Sequence, residues 1–175
     1  MKRSLKLVCF ILAPVIIGGL TLAVSFKRVD VADAANGSCN NPKQARATVL
    51  DLYDAFAAGD TATVEAIIHP DVVWIESEGI PYGGTFIGRD AVFEGVFGNI
   101  AAEWDGFTAE VNEIFSAQGR RVVTLGQDSG TYIETGLSMV APTASFWTLN
   151  RQCQVIRFEQ YIDTLQVRSA IDIDP

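Results

Sequence analysis

Glu76 has the clearest chemical opportunity in this chain. It stands two residues after Trp74 and four after Val72, so on an extended strand all three side chains point to one side. If that side faces the core, a carboxylate lies among apolar and aromatic groups. Desolvation then raises its pKa and makes it a usable general acid or base. The competing placement is a solvated strand end beside Glu78. His69, the single histidine, precedes Pro70, a position that suits capping or packing better than catalysis. One histidine and two distant cysteines make no metal-ligand cluster. No glycine-rich nucleotide loop, P-loop or nucleophile elbow occurs, so neither a metal nor a cofactor is expected.

Asn41-Pro42 opens the first element that must position these groups. Asn caps, Pro suits the first helical turn, and Gln44 completes a capping-box pattern. Val49, Leu52, Tyr53 and Phe56 then form one apolar stripe. Gly59 stops this helix, and Asp60-Thr61 starts a shorter one carrying Val64, Ile67 and Ile68, which Pro70 ends. Val72–Ile75 is β-rich, and Pro81-Tyr82-Gly83-Gly84 is a turn. A third helix follows Gly88-Arg89-Asp90, with Val92, Phe93, Val96, Phe97 and Ile100 at helical spacing. Everything after Gly106 reads as strands: Thr108–Ser116, Arg120–Gly126, Gly130–Glu134, Ser138–Leu149 and Val155–Thr164. Helices followed by strands predict an α+β fold, with about three N-terminal helices on one face of an antiparallel sheet.

The chain has 175 residues, 49% of them hydrophobic and 19% charged. That suits one globular domain and excludes a disordered or disulfide-scaffold protein. Residues 1–34 differ from the rest. Basic Met1–Lys6 precedes Leu7–Phe26, 20 residues without a formal charge, and Ala32-Asp33-Ala34 supplies a small-x-small site. This reads as a secretory signal peptide, or as an uncleaved anchor, since about 20 helical residues span a bilayer core. Residues 35–41 read as a linker and 42–172 as the domain. After residue 34 the chain holds eight basic against nineteen acidic groups, which excludes nucleic acid as a partner and leaves the N-terminal segment as the only membrane contact. The domain is expected outside the cytoplasm, periplasmic, extracellular or membrane-anchored. There Cys39 and Cys153 could bridge, or remain two free thiols.

The phrases VLDLYDAFAAGD, HPDVVW, GGTFIGRDAVFEGVFG and FWTLNRQCQVIRFEQYIDT occur in the order found in the SnoaL-like branch of the nuclear transport factor 2-like superfamily, related to ketosteroid isomerases. The sequence resembles that family over roughly residues 43–170. The resemblance implies a cone-shaped fold, a curved antiparallel sheet around helices with a pocket between them, and homodimerisation through the sheet. It does not imply an activity, because the superfold carries isomerases, cyclases and non-catalytic binders. The spacing from Gly59-Asp60 to Glu76 is similar to that before the isomerase base. The isomerase oxyanion donors, however, fall on Leu52 and Ser145; Tyr53 is adjacent but turned by about 100° on the helix. The cyclase carboxylate falls on Gln160, which takes up no proton at neutral pH, unless Glu159 or Asp163 replaces it.

Glu76 and Asp163 are accordingly the candidate catalytic residues. Tyr53, Trp74, Tyr82, Phe97, Trp104, Ser145, Trp147 and Gln160 are the candidate pocket lining. The leading expectation is an exported domain that binds a small apolar or amphipathic molecule in its cone. Two alternatives stand beside it: a proton-transfer isomerase, cyclase or lyase using Glu76, and a non-catalytic dimerisation module.

Overall fold

The computed structural model describes residues 39 and 41–171; the leader 1–34, most of the linker and the C-terminal boundary at 172 lie outside the described residues. Helix α1 (Pro42–Ala57) starts as its sequence dictates. Gln44 N–H donates to Asn41 Oδ1 at 3.1 Å, and Asn41 N–H donates back to Gln44 Oε1 at 3.2 Å. Its inward face is Ala45, Val49, Leu52 and Ala55, one apolar stripe of period near 3.6. Gly59 takes φ +66° and turns the chain, after which Asp60 caps α2 (Thr61–Ile67) through Thr63.

The strands are β1 (Ile68–Glu76), β2 (Gly84–Ile87), β3 (Trp104–Ala117), β4 (Arg121–Tyr132), β5 (Ser138–Leu149) and β6 (Val155–Ile162). Between β2 and β3 run α3 (Arg89–Val92), a π-helical turn (Phe93–Phe97) and α4 (Gly98–Glu103); α5 (Thr164–Ile171) ends the described chain. The six strands form one curved, unclosed sheet in the order β2-β1-β6-β5-β4-β3. The α+β class and the helices against a curved sheet are as expected. The sheet itself is mixed, not wholly antiparallel, because β1 and β6 pair in parallel, Trp74 opposite Phe158. Parallel partners far apart in sequence share no hairpin, so no turn signal marks them. Two expected strands on either side of residues 127–129 are one strand, β4, and α5 was not expected.

Register decides which side chains face the helices. Val122, Trp147, Phe158 and Trp74 align across β4, β5, β6 and β1 on the inner face. Two residues further along each strand the same face carries Thr124, Ser145, Gln160 and Glu76. The first row is apolar, three of its four side chains aromatic, and packs with the α1 stripe into the main core. The second is wholly polar. A smaller core joins Met139 and Ala141 of β5 to Val167 and Ala170 of α5, with Ile80, Tyr82 and Trp104. Cys39 and Cys153 form a disulfide, their Cα atoms 5.0 Å apart and 114 residues apart in sequence, tying the entry to α1 to the β5–β6 turn.

Candidate functional site

The aromatic and polar rows of the sheet, together with α1 and the π-helical turn, line a largely apolar pocket. Aromatic side chains from several elements wall it, among them Tyr53 and Phe56 on α1, Trp74 on β1, Phe97 on the π turn, Trp147 on β5 and Phe158 on β6. Trp74 stacks on Phe158 with ring centroids 4.0 Å apart and meets Phe97 edge-on at 5.4 Å. The π turn widens the helix locally and helps to bring Val96, Phe97 and, further on, Ile100 to the cavity.

Glu76 closes one side of this space and is only 5% exposed. The Trp74 indole N–H donates to its Oε1 at 2.6 Å, a contact that follows from two residues of one strand sharing a face. Burial pushes the Glu76 carboxyl up to about 8, the Trp74 hydrogen bond opposes this, and the nearby Asp128 charge raises it further. Asp128, on β4, is 7% exposed and accepts a hydrogen bond from Gln160 Nε2 at 3.3 Å. Burial pushes Asp128 up to about 7 against that hydrogen bond. Among the described residues no Lys, Arg or His lines the cavity. Two buried carboxyl groups therefore face one apolar space with only neutral donors against them.

A second polar group lies deeper. Tyr53 OH and Thr124 Oγ1 share a hydrogen bond of 3.1 Å, and the Trp147 indole N–H donates to the same Thr124 oxygen at 3.0 Å. Burial pushes the Tyr53 phenol up to about 12, and the charges of Asp128 and Glu76 add to it. Ser145, 1% exposed, sits beside this group, but its Oγ makes no well-formed hydrogen bond among the described residues. Tyr82 is 6% exposed, and burial with the charges of Glu76 and Asp128 raises its phenol too.

Of the residues expected to line a pocket, Tyr53, Trp74, Tyr82, Phe97, Trp147 and Gln160 do so. Trp104 instead opens β3 and packs into the smaller core, 5.2 Å from the Tyr132 ring. Ser145 lies beneath the lining. Asp163 is exposed and outside the cavity: its Oδ1 accepts from the backbone N–H groups of Leu165 and Gln166 and so caps α5. Its apparent place on a strand face disappears because β6 ends at Ile162. Gln160 donates its amide N–H to Asp128 and takes up no proton at neutral pH. Asp128 was not foreseen. Continuing the alternation from Val122 and Thr124 through residue 126 would have placed it inside. Among the described residues no group of acidic, histidine or cysteine side chains is arranged to hold a metal ion.

Residues 49–159 match the family described as SnoaL-like domain. The chain belongs to that family. The SnoaL-like domain also resembles solved nuclear transport factor 2-like structures. One is such a protein from Burkholderia thailandensis E264, 34% identical, covering 73% of this chain and 97% of its own, with a TM-score of 0.69. Another is TerC co-crystallised with polyporic acid, 25% identical over 73% of this chain and 98% of its own, with a TM-score of 0.66. A putative polyketide cyclase from Xanthomonas campestris shares the fold at 20% identity, covering 75% of this chain and 98% of its own, with a TM-score of 0.64. No curated protein matches the sequence significantly.

Proposed function

We propose that this SnoaL-like domain binds a small amphipathic molecule in its cone and exchanges a proton with it through Glu76 and Asp128. One observation carries the reading: two buried carboxyl groups, with no basic side chain in the lining, face one aromatic cavity. A carboxyl group titrating near neutrality exists in both protonation states under working conditions, as a general acid or base requires. Two such groups facing one cavity, raised to different degrees, let one hold a proton while the other accepts one. That TerC was crystallised with an organic acid supports a cone that receives small organic molecules. The domain works outside the cytoplasm, a reading supported by the apolar leader and by the disulfide. It pairs with a second copy through the outer face of the sheet.

The test combines binding with proton exchange. Small amphipathic compounds are screened by their effect on the Trp74 and Trp147 indole NMR signals, and bound compounds are then followed in D2O for exchange of carbon-bound protons. Binding is expected to shift both indoles, and exchange present in the wild type should vanish in Glu76→Gln with binding retained. Binding without exchange would make the domain a carrier. A screen that moves neither indole would refute the cavity as a ligand site.

A further inference from the structure

We propose that the polar end of the ligand is a cationic nitrogen, an ammonium or quaternary ammonium group, seated against Glu76 and Asp128 with aromatic faces around it. This rests on the reading of the cone as a ligand site and adds the ligand's charge to it. Three features of the cavity converge on a cation. The first is the imbalance of charge inside it. Glu76 on β1 and Asp128 on β4 approach from different strands, and each is met by a neutral donor, the Trp74 indole and the Gln160 amide. The remaining titratable groups that face them are the phenols of Tyr53 on α1 and Tyr82 in the β1–β2 loop. Neither supplies positive charge. An anionic ligand would oppose ionisation of both carboxyls and find no positive group to meet it, whereas a cation supplies the counter-charge that lets them ionise in a low-dielectric site.

The second feature is the wall. A quaternary or alkylated ammonium is large and weakly hydrated, and aromatic faces attract it within about 6 Å of the ring centroid. Tyr53, Phe56, Trp74, Phe97, Trp147 and Phe158 supply such faces on several sides. The third is rigidity. Trp74 is held by Glu76, and Trp147 by Thr124, so both indoles are fixed before a ligand arrives. The burial that keeps the two carboxyls partly protonated when the cavity holds no cation has a further consequence. A permanent cation binds best once they ionise, so its affinity rises with pH although the ligand itself does not titrate.

The test uses an isosteric pair, choline and 3,3-dimethylbutan-1-ol, which differ by N+ against C, with 2-phenylethanol as a neutral aromatic probe. Titration calorimetry and tryptophan fluorescence follow binding to the wild-type protein at pH 5 and pH 8.5. Choline is expected to bind at least tenfold more tightly than its carbon isostere at pH 8.5. That preference should fall to threefold or less at pH 5, and the double variant E76Q/D128N should lose it while still binding the neutral alcohols. Equal affinity for the two isosteres at pH 8.5, or binding of 2-phenylethanol alone, would overturn the cation and leave the ligand site standing. No binding of any of the three would overturn both readings. The wild-type comparison decides the matter even if the double variant fails to fold.

Discussion

Glu76 differs from a surface glutamate by where a strand ends and what covers it. The spacing Val72, Trp74, Glu76 was enough to place its side chain on the core face, because alternation in a strand is dictated by backbone geometry. What spacing cannot convey is depth, since the walls come from α1 and the π turn, elements distant in sequence. Its folded-state carboxyl is raised to about 8 and that of Asp128 to about 7, both chiefly by burial. The sign of the consequence follows by linkage. Below about pH 3 both carboxyls are protonated in the folded and the unfolded chain, and neither affects stability. As the pH rises the unfolded chain ionises while the folded chain resists, so stability falls through the interval up to pH 8. Above that the full penalty stands. Glu76→Gln keeps an oxygen for the Trp74 N–H and cannot ionise. It is expected to match the wild type near pH 3 and to exceed it at pH 8 by roughly 1–3 kcal/mol in urea unfolding. A variant less stable than wild type at pH 8 would mean that the carboxylate is solvated or paired in the folded chain.

At the scale of elements, the cone exists because the long strands bend. The register of β3 against β4 shifts twice, between Asp105 and Thr108 and between Val111 and Glu113, and such bulges kink a strand and increase its twist. Gly126 sits at the second shift. A Cβ there would overlap the Glu110 carbonyl and crowd the Val111 backbone. Gly130 similarly lies under Phe107 and the Trp104 ring, where a Cβ would come within 3.3 Å of both. In the bare sequence Gly126 ends one short strand and Gly130 begins the next, and Asp128 falls into the break between them. They mark close approach of an unbroken β4 to β3, so Asp128 and the continuity of β4 were missed together. The helix starts were legible for the opposite reason: Asn41 with Gln44, and Asp60 with Thr63, act within three residues. The β1–β6 parallel pair depends on partners far away in the chain and left no local mark, whereas the local cap of α5, Asp163, was read as part of a strand face. Gly126→Ala must displace backbone, not a flexible side-chain end. It is expected to destabilise the domain by more than about 2 kcal/mol in urea unfolding, with the tryptophan fluorescence of the folded state changed as the cavity wall shifts. A change within 0.5 kcal/mol would show that the bulge relaxes freely and does not hold the curvature.

On the scale of the whole molecule, the acidic excess and the candidate pair Cys39 and Cys153 were readable in the sequence, with the bridge itself left open, but the make-up of the outer sheet face required the register. The inner face of the sheet is filled by helices, whereas the outer face carries exposed apolar side chains on adjacent strands. Phe115 on β3, Val123 on β4 and Phe146 on β5 lie opposite one another in register, and Leu125, Ala144 and Tyr161 form the next row. Phe146 is 46% and Tyr161 56% exposed, their rings meeting edge-on at 5.9 Å. Arg157 and Glu159 pair at 2.9 Å on the same β6 face, and Tyr161 OH donates to Glu159 at 2.6 Å. An apolar centre with a hydrogen-bonded polar border is the anatomy of a protein interface. The domain beyond the leader is strongly acidic, so a patch nearly free of net charge is also where two copies repel least. Because a two-fold interface presents the same patch twice, one substitution at its centre acts on both sides. The oxidised chain without residues 1–34 is therefore expected to be dimeric at micromolar concentration by light scattering. Phe146→Glu should convert it to a monomer, because each dimer would then bury two carboxylates against apolar rings. Phe146 lies outside the core, so the substitution should leave the unfolding free energy extrapolated to low protein concentration within about 1 kcal/mol of wild type. A wild-type monomer, or a Phe146→Glu dimer of undiminished affinity, would move the self-association surface elsewhere or remove it.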